Sequence, residues 1–115
     1  MYQFAYSDVM EGAVGTARER EKRILERSIE LLKAAQDAGP KSQEANHAVI
    51  FVRRVWQVIL DDLGREDNAL EKDLKANLIS IGIWILRECE AIRLEQSENF
   101  SGIIEVTEAI CDGLK

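Results

Sequence analysis

Leu70-Glu71-Lys72-Asp73-Leu74-Lys75-Ala76-Asn77-Leu78-Ile79-Ser80-Ile81-Gly82-Ile83-Trp84-Ile85-Leu86 is the stretch that decides the fold. Leu70, Leu74, Leu78, Ile81 and Ile85 recur at steps of three and four, the period of an α-helix and not the alternation of a strand. From Leu78 to Leu86 the apolar residues then occupy every face, which marks either the most buried turns of a domain or a surface that another protein covers. Nine residues are too few to cross a bilayer, which takes about 20. Gly82 costs the helix about 1 kcal/mol relative to alanine, so a close helix crossing is expected there. Asn68 with Glu71 reads as a capping box, and the spacing predicts a helix over 68–95.

Working outward, the residues before it hold two further helices. Thr16-Ala17-Arg18-Glu19 has the form of a capping box, and Ile24, Leu25, Leu31, Leu32 and Ala35 make one apolar stripe of a helix over 16–38 that Gly39-Pro40 terminates. Ser42 can cap a second helix over 42–63, ended by Gly64. Its stripe of Ala45, Val49, Val52, Trp56, Ile59, Leu60 and Leu63 is widened by Ile50, Phe51, Val55 and Val58, so it must be covered on more than one side. After Asn99, Ile103, Ile104, Val106, Ile110 and Leu114 pattern a short fourth helix over 100–113. Residues 1–15 read as a terminal arm whose Tyr2, Phe4 and Tyr6 are three of the seven aromatics. The expectation is a single all-α domain spanning 1–115, a compact bundle of four helices.

Composition narrows the class. With 115 residues, 46% hydrophobic and 31% charged, the chain suits one folded domain. Residues 1–60 carry nine Lys and Arg against eight Asp and Glu, +1, whereas residues 61–115 carry six against thirteen, −7. An acidic half argues against direct binding of nucleic acid, whose affinity comes from clustered cations. Two cysteines form no secreted framework, and Met1-Tyr2-Gln3-Phe4 lacks the basic and apolar run of a signal peptide, so a cytoplasmic location with no membrane contact is expected.

The search for chemistry finds little. Glu44-x-x-His47 has the spacing that di-iron bundles use, but such sites need two pairs and His47 is the only histidine. Cys89 and Cys111 read as buried small hydrophobes. Asp61 and Asp62 point about 100° apart on a helix and do not share an acid-base site. No nucleophile elbow or phosphate loop occurs. The expectation is a binding protein with no catalytic residue, no metal and no cofactor. The run from Arg18 to Glu30, with five basic and four acidic residues, reads as a self-paired helix face. Phe51-Val52-Arg53-Arg54-Val55-Trp56 reads in two ways: a tryptophan in the core with arginines at its edge, or an interface hot spot. The candidate partner-contact set is Arg53, Arg54 and Trp56 with Trp84 and Phe100.

The chain resembles the FlaF family of flagellin biosynthesis regulators of alphaproteobacteria over nearly its whole length. The resemblance rests on Met1-Tyr2-Gln3-Phe4 with Tyr6, Ala17-Arg18-Glu19-Arg20-Glu21, Phe51-Val52-Arg53-Arg54 with Trp56, Leu78 to Trp84, and Asn99-Phe100 with Gly102-Ile103-Ile104-Glu105-Val106 followed by Asp112-Gly113-Leu114. It implies a role in flagellum assembly that favours flagellin synthesis or secretion, in opposition to a regulator called FlbT, and it supplies no catalytic residue. The flagellin of such systems ends in amphipathic helices whose apolar stripes need shelter before assembly, and a helical protein with surplus apolar faces can provide it by helix-in-groove packing.

Three readings follow. A flagellin-binding adaptor or chaperone leads. A post-transcriptional regulator acting on flagellin messenger RNA or through FlbT is the second, and a self-associating homo-oligomeric bundle is the third.

Overall fold

A computed structural model of the chain describes residues 14–113, with side chains from residue 19 onward. It is all-helical: α1 (Val14–Ala38), α2 (Gln43–Leu63), α3 (Lys72–Arg93) and α4 (Phe100–Asp112). The expected arm lies outside the described residues up to position 13, and so does Leu114.

Helix ends follow the local chemistry, with two differences from the sequence reading. Thr16 lies inside α1, which is already helical at Val14, so it is not the residue that opens the helix. Asn68 does not cap α3 either. Its side-chain amide donates to the Asp62 carbonyl at 3.2 Å and to Asp62 Oδ2 at 3.0 Å, and its Oδ1 accepts from the Leu70 amide at 3.1 Å. With the side chain engaged by the end of α2, the capping role passes to Glu71, whose carboxylate accepts from the amides of Asp73 and Leu74. Helix α3 therefore starts four residues later than its apolar period suggests. Leu70 is left in the connection, 41% exposed.

Helix α3 ends at Arg93, two residues short of the expected 95, and three further helix ends are fixed by local caps. Ser42 Oγ accepts from the Ala45 amide at 3.0 Å and caps α2. Asn99 Oδ1 accepts from the Gly102 amide at 3.1 Å and caps α4. At the end of α1 the Gly39 amide donates to the Ala35 carbonyl at 2.8 Å with φ at +101°, a left-handed conformation suited to glycine.

Helix α1 packs against α2 and α4, and α2 packs against α3; the remaining helix pairs make little direct contact. The spatial order is therefore α4, α1, α2, α3, with the two outer helices joined by the connection 94–99. Near that connection they close onto one core, where Ile85, Cys89 and Ile92 of α3 join Phe100, Ile103 and Ile104 of α4 over Leu32, Val49 and Val52. Gly82 marks the α2–α3 crossing: a Cβ there would lie 2.8 Å from Trp56 Cε3 and 2.9 Å from Leu60 Cδ2. Two hydroxyls are buried between the helices without charge partners. Ser28 Oγ donates back to the Ile24 carbonyl and Thr107 Oγ1 to the Ile103 carbonyl, so neither leaves an unsatisfied donor in the core.

Candidate functional site

Away from the 94–99 connection the outer helices no longer meet, and a groove of about 870 Å³ opens between them. Its floor is Ile24 and Leu25 of α1 with Val55, Trp56 and Ile59 of α2. One wall is Leu74, Leu78 and Ile81 of α3, the other Val106, Ala109 and Ile110 of α4, and Leu70 sits at its mouth. The polar side chains along it are few, Glu21, Asp62, Asn68 and Asn77, and the two charged ones are acidic.

The groove follows from the sequence in two steps. The apolar stripe of α3 runs the full length of the helix, but α4 joins its cover only in the half after Gly82, so among the described helices the half before Gly82 packs against α2 on one side. The Asn68 turn then holds the start of α3 against the end of α2, fixing that wall. The result is apolar surface facing apolar surface across an opening, with Leu74 45% exposed at its edge. Such a cleft is suited to an apolar or amphipathic occupant, since polar groups that could orient a charged ligand are sparse. A helix of about 10 Å diameter rising 1.5 Å per residue fills roughly 120 Å³ per residue, so the space matches about two helical turns.

Of the five residues expected to touch a partner, Trp56 alone lines the groove, and at 2% exposure it is part of the floor. Phe100, also 2% exposed, belongs to the core at the opposite end and presents almost no surface. Trp84 is half-buried against that same core. Arg53 is half-buried and lies close enough to α3 for its charge to act on Cys89 and Glu90, whereas Arg54 is exposed. The five do not converge on one surface. The groove residues outside that set, Leu74, Leu78, Val106 and Ile110, carry ordinary helical apolar periodicity. The only sign in the sequence that they stay uncovered is the surplus of apolar faces on α2 and α3.

Titratable groups elsewhere are arranged for stability. Burial pushes the Cys89 thiol up to about 12, with the charge of Arg53 opposing the shift and Glu88 adding to it. Cys111 is shifted upward too, again chiefly by burial, and both cysteines are free. A hydrogen bond from Arg93 holds the Glu90 carboxyl below its usual range on an exposed turn. His47 and Glu44 are both exposed on the first turns of α2. Among the described residues no three His, Cys, Asp or Glu side chains converge into a metal-ligating group, and no helix is long and apolar enough to cross a membrane. The Arg18–Glu30 face carries the expected i,i+3 pair, Arg27 Nη1 to Glu30 Oε1 at 3.0 Å, both ends exposed.

These features define an all-α bundle with an apolar groove at its open end. No curated protein and no solved structure matches the chain. The family model of flagellar protein FlaF does match it, over residues 2–114, and the chain belongs to the FlaF family. Its role is in flagellar biogenesis and its regulation.

Proposed function

We propose that this protein is a flagellin-binding adaptor, acting without catalysis, that holds an amphipathic terminal helix of flagellin in the groove between α3 and α4 and so promotes flagellin synthesis or secretion. The observation that carries the reading is the groove itself: two facing apolar walls, a floor built around Trp56, and room for about two helical turns. A flagellin helix seated there would bury its stripe against Leu74, Leu78, Val106 and Ile110, removing from water the surface most prone to aggregate. The acidic charge of the C-terminal half favours this over contact with messenger RNA.

Calorimetric titration of the purified protein with flagellin tests it. Saturable binding at micromolar concentration is expected, weakened at least tenfold by Leu74→Arg or Ala109→Arg and little changed by raising salt. Both substitutions fall on exposed positions, so the fold should survive them. No heat at micromolar flagellin, or binding indifferent to both substitutions, would count against the reading.

A further inference from the structure

We propose that Asp62 sets the specificity of the groove: its carboxylate pairs with a lysine or arginine beside the apolar stripe of the occupant helix, so that the groove selects helices with a cation at the end that reaches the α2–α3 junction. This role rests on the groove holding a helix, as proposed for flagellin, and adds the charge that such a helix must carry. Val55, Ile59 and Asp62 recur at steps of four and three on one face of α2, so the stripe that floors the groove ends in a carboxylate.

That carboxylate is held in place but not neutralised. Asn68 donates to its Oδ2 at 3.0 Å, and a neutral donor fixes the group without cancelling its charge. The cations close to it in sequence are committed elsewhere: Arg65 reaches Asp67 through two bonds of 3.0 and 3.1 Å, and Lys75 Nζ donates to the Asn68 carbonyl at 3.1 Å. Asp62 is half-buried and has no ion pair among the described residues. A helix lying over Val55 and Ile59 takes it out of water. An apolar residue opposite would leave a buried charge unpaired and an acidic one would repel it, whereas an ammonium or guanidinium forms a charge-assisted hydrogen bond in a medium of lowered dielectric. Glu21 adds the same sign from α1. Discrimination therefore comes from the penalty on the wrong helix as much as from the gain on the right one. A single pair adds only a shallow salt dependence, and the apolar walls still carry the affinity.

The test uses the full chain and three synthetic helices of about 14 residues, acetylated and amidated, each with one leucine stripe. They carry lysine in the first turn, lysine in the last turn, or glutamine at both places, and anisotropy of a fluorescent label gives their dissociation constants. One lysine peptide should bind about fivefold or more tighter than the glutamine peptide, and which one does so reports the direction in which the helix lies. Asp62→Asn keeps the shape of the side chain and an acceptor for Asn68, and should abolish the preference. Asp61→Asn removes the same charge from an exposed position outside the groove, and should preserve it. A preference that survives Asp62→Asn, equal binding of all three peptides, or failure of all three to bind would overturn the proposal. If flagellin does not bind while the lysine preference tracks Asp62, the flagellin reading fails and the charge selection stands. If flagellin binds in the groove but the peptides show no preference, the reverse holds.

Discussion

Gly82 of α3 lies against the ring of Trp56 so closely that a Cβ would sit 2.8 Å from Cε3, nearer than packed side chains approach. Alanine at this position would gain about 1 kcal/mol of helix propensity. It would also force apart α2 and α3 at their crossing, and overpacking of that kind costs about 1–3 kcal/mol. Trp56 is buried and cannot swing aside, so the steric cost should win. Gly82→Ala is expected to lower stability by about 1 kcal/mol in urea unfolding, and Gly82→Val by more. A stabilised Gly82→Ala protein would show that the crossing yields freely.

Asn68 ties the end of α2 to the connection that leads into α3 through both polar atoms of its side-chain amide, and so helps to position one wall of the groove. Asn68→Ala removes these bonds at a part-buried site and should cost about 1–2 kcal/mol. Asn68→Asp should be at least as harmful, because it loses the donor and sets a second carboxylate beside Asp62. Equilibrium unfolding of the two variants checks the order; an Asn68→Asp protein as stable as the parent would remove the hydrogen-bond account.

Much of the bundle was legible because helical periodicity and capping chemistry act within a few residues of each other. Ser42, Asn99, Gly39 and Gly64 end or begin helices where their side chains or backbones dictate, and Gly82 marks a helix crossing for the reason its lack of a side chain suggested. The start of α3 was not legible, since Asn68 could cap forward or bond backward, and only the nearness of Asp62 in space decides between them. The groove was hidden for a deeper reason. Leu78 and Ile85 look alike in sequence, yet Ile85 is sealed by α2 and the core beside α4 while Leu78 faces an opening, and that difference depends on where α4 diverges. Phe100 misleads in the same way: an aromatic beside a helix start suits a core or an interface equally until the neighbouring helices are in place.

Glu95 follows α3 with φ at +62°, the left-handed conformation that glycine normally supplies. The Gln96 amide donates to the Ala91 carbonyl and the Glu95 amide to the Ile92 carbonyl, completing a Schellman motif around a residue with a Cβ. Left-handed backbone costs a non-glycine residue about 1 kcal/mol or more. Its ion pair with Lys41 at 3.4 Å is exposed at both ends and offsets little of that. Glu95→Gly should therefore raise the unfolding midpoint, by about 1 kcal/mol in stability. Gly39→Ala, at φ +101°, should lower it by a similar amount or more. The two substitutions are opposite in chemistry and should be opposite in sign; agreement in sign would refute the backbone argument.

The Cys89 thiol makes stability depend on alkaline pH. Its pKa rises from an ordinary 9.0 in the unfolded chain to about 12 in the fold, so above pH 9 the unfolded chain has released a proton that the folded protein keeps. The unfolded state then binds fewer protons, and stability falls as pH rises. The contribution is fully present below pH 9 and disappears between 9 and about 12, at up to about 1.4 kcal/mol per pH unit. Cys89→Ala leaves a small cavity at every pH but has no thiol to ionise. The parent should exceed the variant in stability at about pH 8 and lose that advantage by about pH 11 in urea unfolding. Every other group is common to the two proteins, so the difference isolates the Cys89 thiol. A gap constant from about pH 8 to about pH 11 would mean that the thiol ionises alike in both states, leaving Cys89 to act through packing alone.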